Sequence, residues 1–222
     1  MDPILAELIR AHRADIAELT GLAQRDLEVL WQRLSSDPVR ARDALVEILA
    51  QLAETYGAAA ATLGADWYEE IRDALSVRGR FSAIAAELPD QGRYEALAGW
   101  AVGPLFSASP DALAALGLAK GGLQKVVADA NRASVSLSSV ADPRAQGWQR
   151  QGGGDCDFCE MLISRGAVYT KESVRFGSHD HCKCEAVPAF EGKPVAVKPY
   201  EPSLRRSEAD QARAKAWIAA NL

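Results

Sequence analysis

The feature that most constrains this chain is a cluster of cysteines and histidines between Asp155 and Glu185. This stretch holds all four cysteines of the chain and two of its three histidines, namely Cys156, Cys159, His179, His181, Cys182 and Cys184. The pattern is C-x2-C, a connecting segment over residues 160–178, and then H-x-H-C-x-C. Two ligand pairs separated by about 15–20 residues are typical of structural zinc sites, in which the connecting segment folds back to complete a tetrahedron. The spacing therefore predicts a metal site.

The candidate ligands outnumber the positions around a tetrahedral zinc ion, so one or two of them must lie outside the first shell. The first choices are the two cysteines of C-x2-C, since they offer two sulfur donors from one short turn. The order of choice is Cys156 and Cys159, then His179, Cys182 and Cys184, and finally His181. The predicted metal is zinc in a structural role.

Other uses of these cysteines remain as alternatives: a catalytic metal, disulfides, redox chemistry or unreactive thiols. The opening residues, MDPILAELIRAHRADIAEL, lack the basic start and apolar core of a secretory signal. Without a secretory route the cysteines are expected to stay reduced, which disfavours two disulfides. A redox pair of Cys156 and Cys159 would call for a thioredoxin-type strand and helix upstream, and no such pattern is visible there.

The composition is that of a globular protein, with 48% hydrophobic and 25% charged residues. No apolar run approaches the roughly 20 residues that span a bilayer, so no membrane association is expected. The net charge of −5 is unevenly distributed, because residues 1–142 hold 13 basic and 20 acidic groups whereas residues 143–222 hold 12 and 10. Neither part has the basic excess that is usual in nucleic-acid-binding domains.

Residues 1–142 have the apolar period of helices, and Asp37-Pro38 and Ser109-Pro110-Asp111 are typical N-terminal caps. The first two helices are expected to form a hairpin, followed by an alanine-rich turn that ends near Gly64 and a third helix over residues 65–76. His12, Trp67 and Trp100 are expected in the core. The exposed carboxylates Glu69, Glu70 and Asp73 are expected on a solvated face. No phosphate-binding glycine loop, nucleophile elbow or zinc-protease motif is present.

The sequence changes character after residue 132, where serines alternate with β-branched residues. We place a domain boundary near Asp142 and predict strands around Trp148 and over residues 167–170 and 184–190, with one or two helical turns over residues 160–165. The stretches around residues 142–154 and 191–202 are expected to be irregular and exposed. The predicted fold is mainly α: a helical region (1–142), a small α+β zinc-stabilised domain (143–190), and an extended arm with a C-terminal helix (191–222).

The run from Trp148 to Phe190 resembles the C-terminal signature of the tailed-phage MuF-like minor head proteins, also called head morphogenesis proteins. The matching pieces are Trp148-Gln149-Arg150, Cys156-Asp157-Phe158-Cys159, residues 165–169 (RGAVY), residues 179–184 (HDHCKC) and Val187-Pro188. The resemblance implies a virion component present in few copies, attached to the portal inside the head and acting in head assembly or DNA delivery. It also favours His179 over His181 as the histidine ligand.

The resemblance further implies partners and alternatives. The expected partner is the portal, with scaffold or major capsid protein as further candidates, and packaged DNA is expected nearby without sequence-specific binding. Assembly is expected in the host cytoplasm. Similar proteins of actinobacterial phages carry the label capsid maturation protease, but no third catalytic residue joins the serines of 133–139 and a histidine. An HNH-type nuclease is the other alternative, because Asp180-His181 resembles its metal-and-base dipeptide.

Overall fold

The computed structural model describes residues 3–152, 157–164, 166, 168–169, 176–179, 181–192 and 194–195. The chain is mainly helical, as expected, and carries a small sheet near its end. The elements in chain order are α1 (Pro3–Trp31), α2 (Pro38–Leu52), α3 (Ala58–Ala74), α4 (Gln91–Ala101), α5 (Ala112–Ala141), β1 (Gly147–Gln151), α6 (Asp157–Ser164), β2 (Val168–Tyr169), β3 (Glu185–Ala189) and β4 (Pro194–Val195). The predicted C-terminal helix lies outside the described residues.

Aspartate caps start three of the helices. The Asp37 carboxylate accepts from the backbone N–H groups of Val39 and Arg40 at the start of α2, and Asp90 and Asp111 do the same for α4 and α5. Each cap satisfies N–H groups that have no partner within the helix, which stabilises a helix by about 1 kcal/mol. The predicted cap at Asp37 is confirmed. For α5 the prediction placed the cap at Ser109 and Asp111 in the first turn, whereas Asp111 is itself the cap.

The predicted break near Gly64 is wrong. A π-helical turn (Ala53–Gly57) joins α2 to α3, and α3 continues through Gly64. A Cβ at Gly64 would lie 2.7 Å from the backbone oxygen of Asn131 and 3.1 Å from the Cβ of Ser134. Gly64 therefore allows the close packing of α3 on α5, which explains a glycine in the middle of a helix.

The change of character expected after residue 132 does not end a helix, because α5 runs on to Ala141. The hydroxyls of Ser134, Ser136 and Ser139 donate to the carbonyl four residues earlier, so these polar side chains are satisfied while buried. Ser134 and Ser138 also accept from the backbone N–H groups of Ala86 and Ile84. The serines of α5 therefore anchor the extended segment between α3 and α4.

The sheet has the strand order β3-β1-β2-β4. Strand β1 pairs antiparallel with both β2 and β3, and β2 pairs in parallel with β4. In this register Trp148 lies opposite Tyr169 on one side and Pro188 on the other. The strands predicted around Trp148 and over residues 167–170 and 184–190 are confirmed, whereas β4 falls in a stretch expected to be irregular.

The sheet and the helices share one apolar cluster. It combines helical residues with sheet residues: Ile9, Trp67, Tyr68, Ile71, Val135, Trp148, Tyr169, Ala186 and Val187. At the end of α5 the fully buried Asp142 receives hydrogen bonds from Arg72 Nε (2.7 Å) and the Tyr68 hydroxyl (3.0 Å). Residues 142–152 were expected to be exposed, but Asp142, Trp148 and Arg150 are all buried. The domain boundary itself stays a prediction.

Two core predictions have opposite outcomes. His12 is 4% exposed and stacks on Trp67 with 4.1 Å between ring centroids, which confirms both as core residues. Trp100 is 47% exposed, so its expected core position is wrong. It lies near the end of α4, where it lines a shallow surface depression with Leu97 and Val126 instead of entering the core. Within the described part of the chain, no helix is both long and apolar enough to cross a bilayer.

Candidate metal centre

Three cysteine sulfurs meet at one end of the sheet. Cys159 comes from α6, and Cys182 and Cys184 come from the segment that leads into β3. All three are at most 3% exposed, and their Sγ atoms lie within 4.8 Å of one another. The Sγ atoms of Cys159 and Cys182 are 3.8 Å apart. Two thiolates at about 2.3 Å from a tetrahedral zinc ion lie about 3.8 Å apart, so this spacing fits a metal and not a disulfide. None of the three described cysteines forms a disulfide bond.

Of the two histidines in the pattern, His179 lies beside the cysteine cluster and His181 lies against α5. His179 Nε2 lies 3.3 Å from the Sγ of Cys159, close to the separation of about 3.5 Å expected of an N and an S ligand on one zinc ion. His181 has a backbone φ of +61° and is exposed. Its ring lies against α5, where Nε2 would be 2.8 Å from a Cβ at Gly121. Cys159, Cys182 and Cys184 are thus brought together with His179 beside them, while Cys156 and Asp180 lie outside the described residues.

The electrostatics favour a thiolate at Cys182. The hydrogen bond from the Cys184 thiol lowers the pKa of Cys182, and the charge of Arg132 acts in the same direction. Donating that hydrogen bond raises the pKa of Cys184, and its burial adds to this effect. The thiolate is the form of cysteine that binds metal, so a lowered pKa at Cys182 favours cation binding by this sulfur. Three buried cysteines in this arrangement could hold a metal ion.

Arg132 of α5 fixes the backbone that presents Cys182 and Cys184. Its Nη2 donates to the carbonyl of Cys182 at 2.6 Å, and its Nε donates to the carbonyl of Cys184 at 2.7 Å. Its Nη1 donates to Asp129 Oδ1 at 2.9 Å, and the side chain is 1% exposed. One planar guanidinium therefore sets the geometry of both carbonyls. Arg132 was not identified from the sequence. A charged residue within the apolar pattern of α5 could have indicated a buried arginine with polar partners.

The same helix also holds the segment next to His179. Ser178 Oγ donates to Asp129 Oδ1 at 2.6 Å, and Lys125 Nζ donates to Ser178 Oγ at 2.6 Å. Burial of Asp129 opposes its ionisation, but Arg132 and Lys125 still keep the pKa of this carboxyl below its usual value. Lys125, Asp129 and Arg132 form what we call the α5 clamp. The clamp binds the segment that carries Ser178, Cys182 and Cys184, which we call the metal loop. It orients this loop from outside the ligand set, as outer hydrogen bonds do at many metal sites.

A second buried arginine, Arg150, also lies close to the cysteines. Arg150 of β1 is 5% exposed, lies 3.7 Å above the ring centroid of Phe176 and donates to the carbonyl of Gly177 at 2.5 Å. Its hydrogen bond to Cys184 acts to lower the pKa of that thiol, against the larger effects that raise it. A zinc ion with three or four thiolates has a net negative charge, and two buried guanidinium groups would offset it. The charge balance thus fits a thiolate-rich site.

The serines considered for a protease are not placed for catalysis. Ser134, Ser136, Ser138 and Ser139 each have 0% exposure, and their hydroxyls serve α5 and the segment between α3 and α4. Among the described residues, none of these hydroxyls contacts a histidine. An attacking hydroxyl must reach a base and a substrate, and burial within a helix prevents both.

Comparison with known proteins gives one match. The sequence model of a protein family described as VG15 protein matches residues 4–209, which covers most of the chain. No curated protein matches the sequence, and no solved structure matches it either.

Proposed function

The chain belongs to the VG15 protein family and is therefore a phage protein, and from this premise we propose that it is a minor head protein of a tailed phage. Its proposed role is head morphogenesis or DNA delivery, and its proposed place is the portal on the inside of the head. The family membership supports the phage origin, while the finer role is supported by the residues that resemble the MuF-like signature.

One observation carries this proposal: the residues of the signature build a single structural unit. Trp148 stacks on Tyr169 with 4.4 Å between ring centroids and lies opposite Pro188 in the sheet. Arg150 of the same strand lies over the ring of Phe176, and Phe176 also packs against the cysteine cluster. Residues from separate parts of the signature thus form one aromatic layer and one cysteine cluster. This arrangement supports the proposal that the signature residues stabilise one shared fold.

We propose that the cluster holds one structural zinc ion. Its ligands would be Cys156, Cys159, His179 and one or both of Cys182 and Cys184. Burial of the described sulfurs and hydrogen bonding of the loop by the α5 clamp support a closed site in which the metal stabilises the fold. The zinc would tie α6, the metal loop and β3 together, which a unit of about fifty residues needs for stability.

The proposed attachment to the portal rests on apolar contacts. The chain has a net charge of −5, so binding to packaged DNA would release few counterions and contribute little. On the apolar face of α5, the side chain of Leu113 is 82% exposed, whereas Ala115, Ala119 and Leu123 are buried. Leu113 is therefore the candidate anchor on this helix, and the other predicted anchor, Trp217, lies outside the described residues.

The test is co-purification with the portal protein, followed by loss of the gene from the phage. Association should survive about 0.5 M salt, at which the Debye length is well below 10 Å and exposed charge pairs are screened. Leu113→Glu should weaken the association, whereas Ile84→Glu, at another exposed apolar position, should not. Particles without the protein should form heads with reduced infectivity.

Two outcomes would overturn this proposal. Accumulation of uncleaved capsid precursor in particles without the protein would favour a maturation protease. Cleavage of plasmid DNA by the purified protein with a divalent metal would favour a nuclease.

A further inference from the structure

A cavity of about 430 Å³ lies between α1, α5 and the segment that precedes β3. It adjoins the metal loop, but it is lined mainly by side chains that play no part in holding the cysteines. Its size falls within the range of small-molecule sites, about 300–1,000 Å³. The cavity has an outer and an inner side, which can be told apart by the exposure of the residues that line it.

The outer side is cationic. Arg10 and Lys183 are exposed and Arg13 is half-buried, and all three line the cavity. Arg10 also forms an ion pair with Glu7 at the surface, where such pairs contribute little stability. Two of the three, Arg10 and Arg13, belong to a helical region that carries more acidic than basic groups. Arginine and lysine together are the usual ligands of a phosphate group.

The inner side offers hydrogen-bond acceptors. Glu185 is 4% exposed and lines the cavity, where the charges of Arg132 and Arg13 act on its carboxyl group. Gln124 directs its Nε2 to the carbonyl of Cys182 at 3.4 Å, and its Oε1 is buried without a hydrogen-bond partner in the described part of the chain. An unpaired buried acceptor costs about 1–3 kcal/mol. One such acceptor, with the Glu185 carboxyl group beside the same cavity, points to a ligand that donates hydrogen bonds.

We propose that this cavity binds a nucleotide unit, with its phosphate at Arg10, Arg13 and Lys183 and the amino group of its base at Glu185 and Gln124. Carboxylate and amide oxygens accept from the exocyclic amino groups of cytosine and adenine in protein–nucleic acid contacts. The nucleotide is either free or the phosphorylated end of a nucleic acid strand, since both present the same groups. The inference does not rest on the proposed role in the phage head.

Simpler ligands satisfy only one side of the cavity. Inorganic phosphate would satisfy the outer cations and leave Gln124 Oε1 without a donor. A free amino acid brings one carboxylate for three cationic side chains and is small for a cavity of about 430 Å³. A nucleotide places a charged and a donor group at opposite ends of one molecule, which matches the polarity of the site.

The experiment is isothermal titration calorimetry on the full chain with AMP, CMP, ribose 5-phosphate, inorganic phosphate and glutamate. AMP or CMP should bind at least about tenfold more tightly than ribose 5-phosphate, because the base adds hydrogen bonds to charged or buried acceptors. A 5′-phosphorylated dinucleotide distinguishes the sources. Binding of the dinucleotide alone identifies a strand end, and binding of AMP or CMP as well identifies a nucleotide unit as sufficient.

Two variants and one control locate the site. Arg13→Ser should weaken AMP or CMP binding at least about tenfold. Gln124→Met keeps the side-chain volume and removes an unpaired acceptor, so it should fold normally and lose the preference over ribose 5-phosphate. Arg25→Ser, at an exposed position of α1 outside the cavity, should bind like the unaltered protein.

The proposal is overturned by any of four results. These are no binding of AMP, CMP or the 5′-phosphorylated dinucleotide, equal binding of ribose 5-phosphate or inorganic phosphate, tighter binding of glutamate, or unchanged binding in Arg13→Ser. Circular dichroism of each variant establishes that a loss of binding is not a loss of the fold.

Discussion

Replacing His12 by glutamine should make the stability of the protein much less sensitive to acid. Burial of His12 lowers its pKa from 6.5 to about 4, and this effect prevails over its hydrogen bond with Asn131 and the charge of Asp15, which both act to raise it. The imidazole is 4% exposed, stacks on Trp67 and has Nε2 at 3.0 Å from Asn131 Oδ1. The folded protein therefore keeps this histidine neutral at pH values where the unfolded chain protonates it.

The direction and size of the effect follow from this pKa. Since the folded pKa is lower than the unfolded one, the unfolded state binds more protons between pH 6.5 and 4. Stability is unaffected by His12 above pH 6.5, falls as the pH is lowered through this window, and levels off below about pH 4. A difference of about 2.5 pKa units corresponds to about 3 kcal/mol. This is a large part of the 5–15 kcal/mol that stabilise an ordinary domain.

The assay is urea unfolding followed by tryptophan fluorescence at pH 7.5 and at pH 4.5. The unaltered protein should lose about 2–3 kcal/mol more than His12→Gln between these two values. Comparing the two proteins removes the contribution of other groups, including the cysteine cluster, because they titrate in both. Equal losses in the two proteins would refute the reasoning, as would a measured pKa near 6.5 for His12 in the folded protein.

Three further predictions concern the metal and the packing. Cys159→Ser should reduce the zinc content from near one equivalent per chain to a small fraction, as measured by elemental analysis. Structural zinc contributes on the order of 10 kcal/mol in small domains, so the loss of one ligand should weaken its binding strongly. Full retention of zinc would exclude Cys159 as a ligand. Arg132→Met should lower the free energy of unfolding by about 3 kcal/mol in urea titrations, because two buried carbonyls and Asp129 lose their donor; an unchanged midpoint would contradict the role of the clamp. Gly64→Ala should lower the melting temperature, because its Cβ would meet backbone at 2.7 Å, whereas Gly99→Ala, with open space around it, should raise the melting temperature slightly by restricting the unfolded chain; equal shifts would show that α3 and α5 can separate at little cost.

Local chemistry made much of the fold predictable from sequence. The aspartate cap at residue 37 uses a side chain that acts within three residues, so its effect is visible without knowledge of the fold. The strand around Trp148 was also predicted. The helical turns predicted over residues 160–165 overlap α6, which begins earlier, at Asp157, and so includes Cys159. The spacing of the cysteines also led to the cluster, because sulfur ligands come in recognisable pairs.

The missed features depend on contacts between distant residues. The serines of α5 are weak helix formers alone, and it is their burial and their bonds to the segment between α3 and α4 that keep the helix intact to Ala141. In the sequence alone, Gly64 looks like a helix end because its steric constraint comes from a distant residue. A side chain at this position would collide with Asn131 on α5. Arg132 could not be linked to the cysteines, since its partners come at least 50 residues later.

The distance in sequence between Arg132 and its carbonyl partners has a consequence for synthesis. At about 5–20 residues per second, a ribosome that has made α5 needs roughly 2 to 8 seconds to reach residues 182–184. During this interval the guanidinium lacks the two carbonyls of Cys182 and Cys184 that bind it in the finished fold. A nascent chain that ends before these residues thus has an incomplete interior, although most of its helices have already been made. Truncations in the metal loop should therefore harm the older, helical part of the protein more than the number of lost residues suggests.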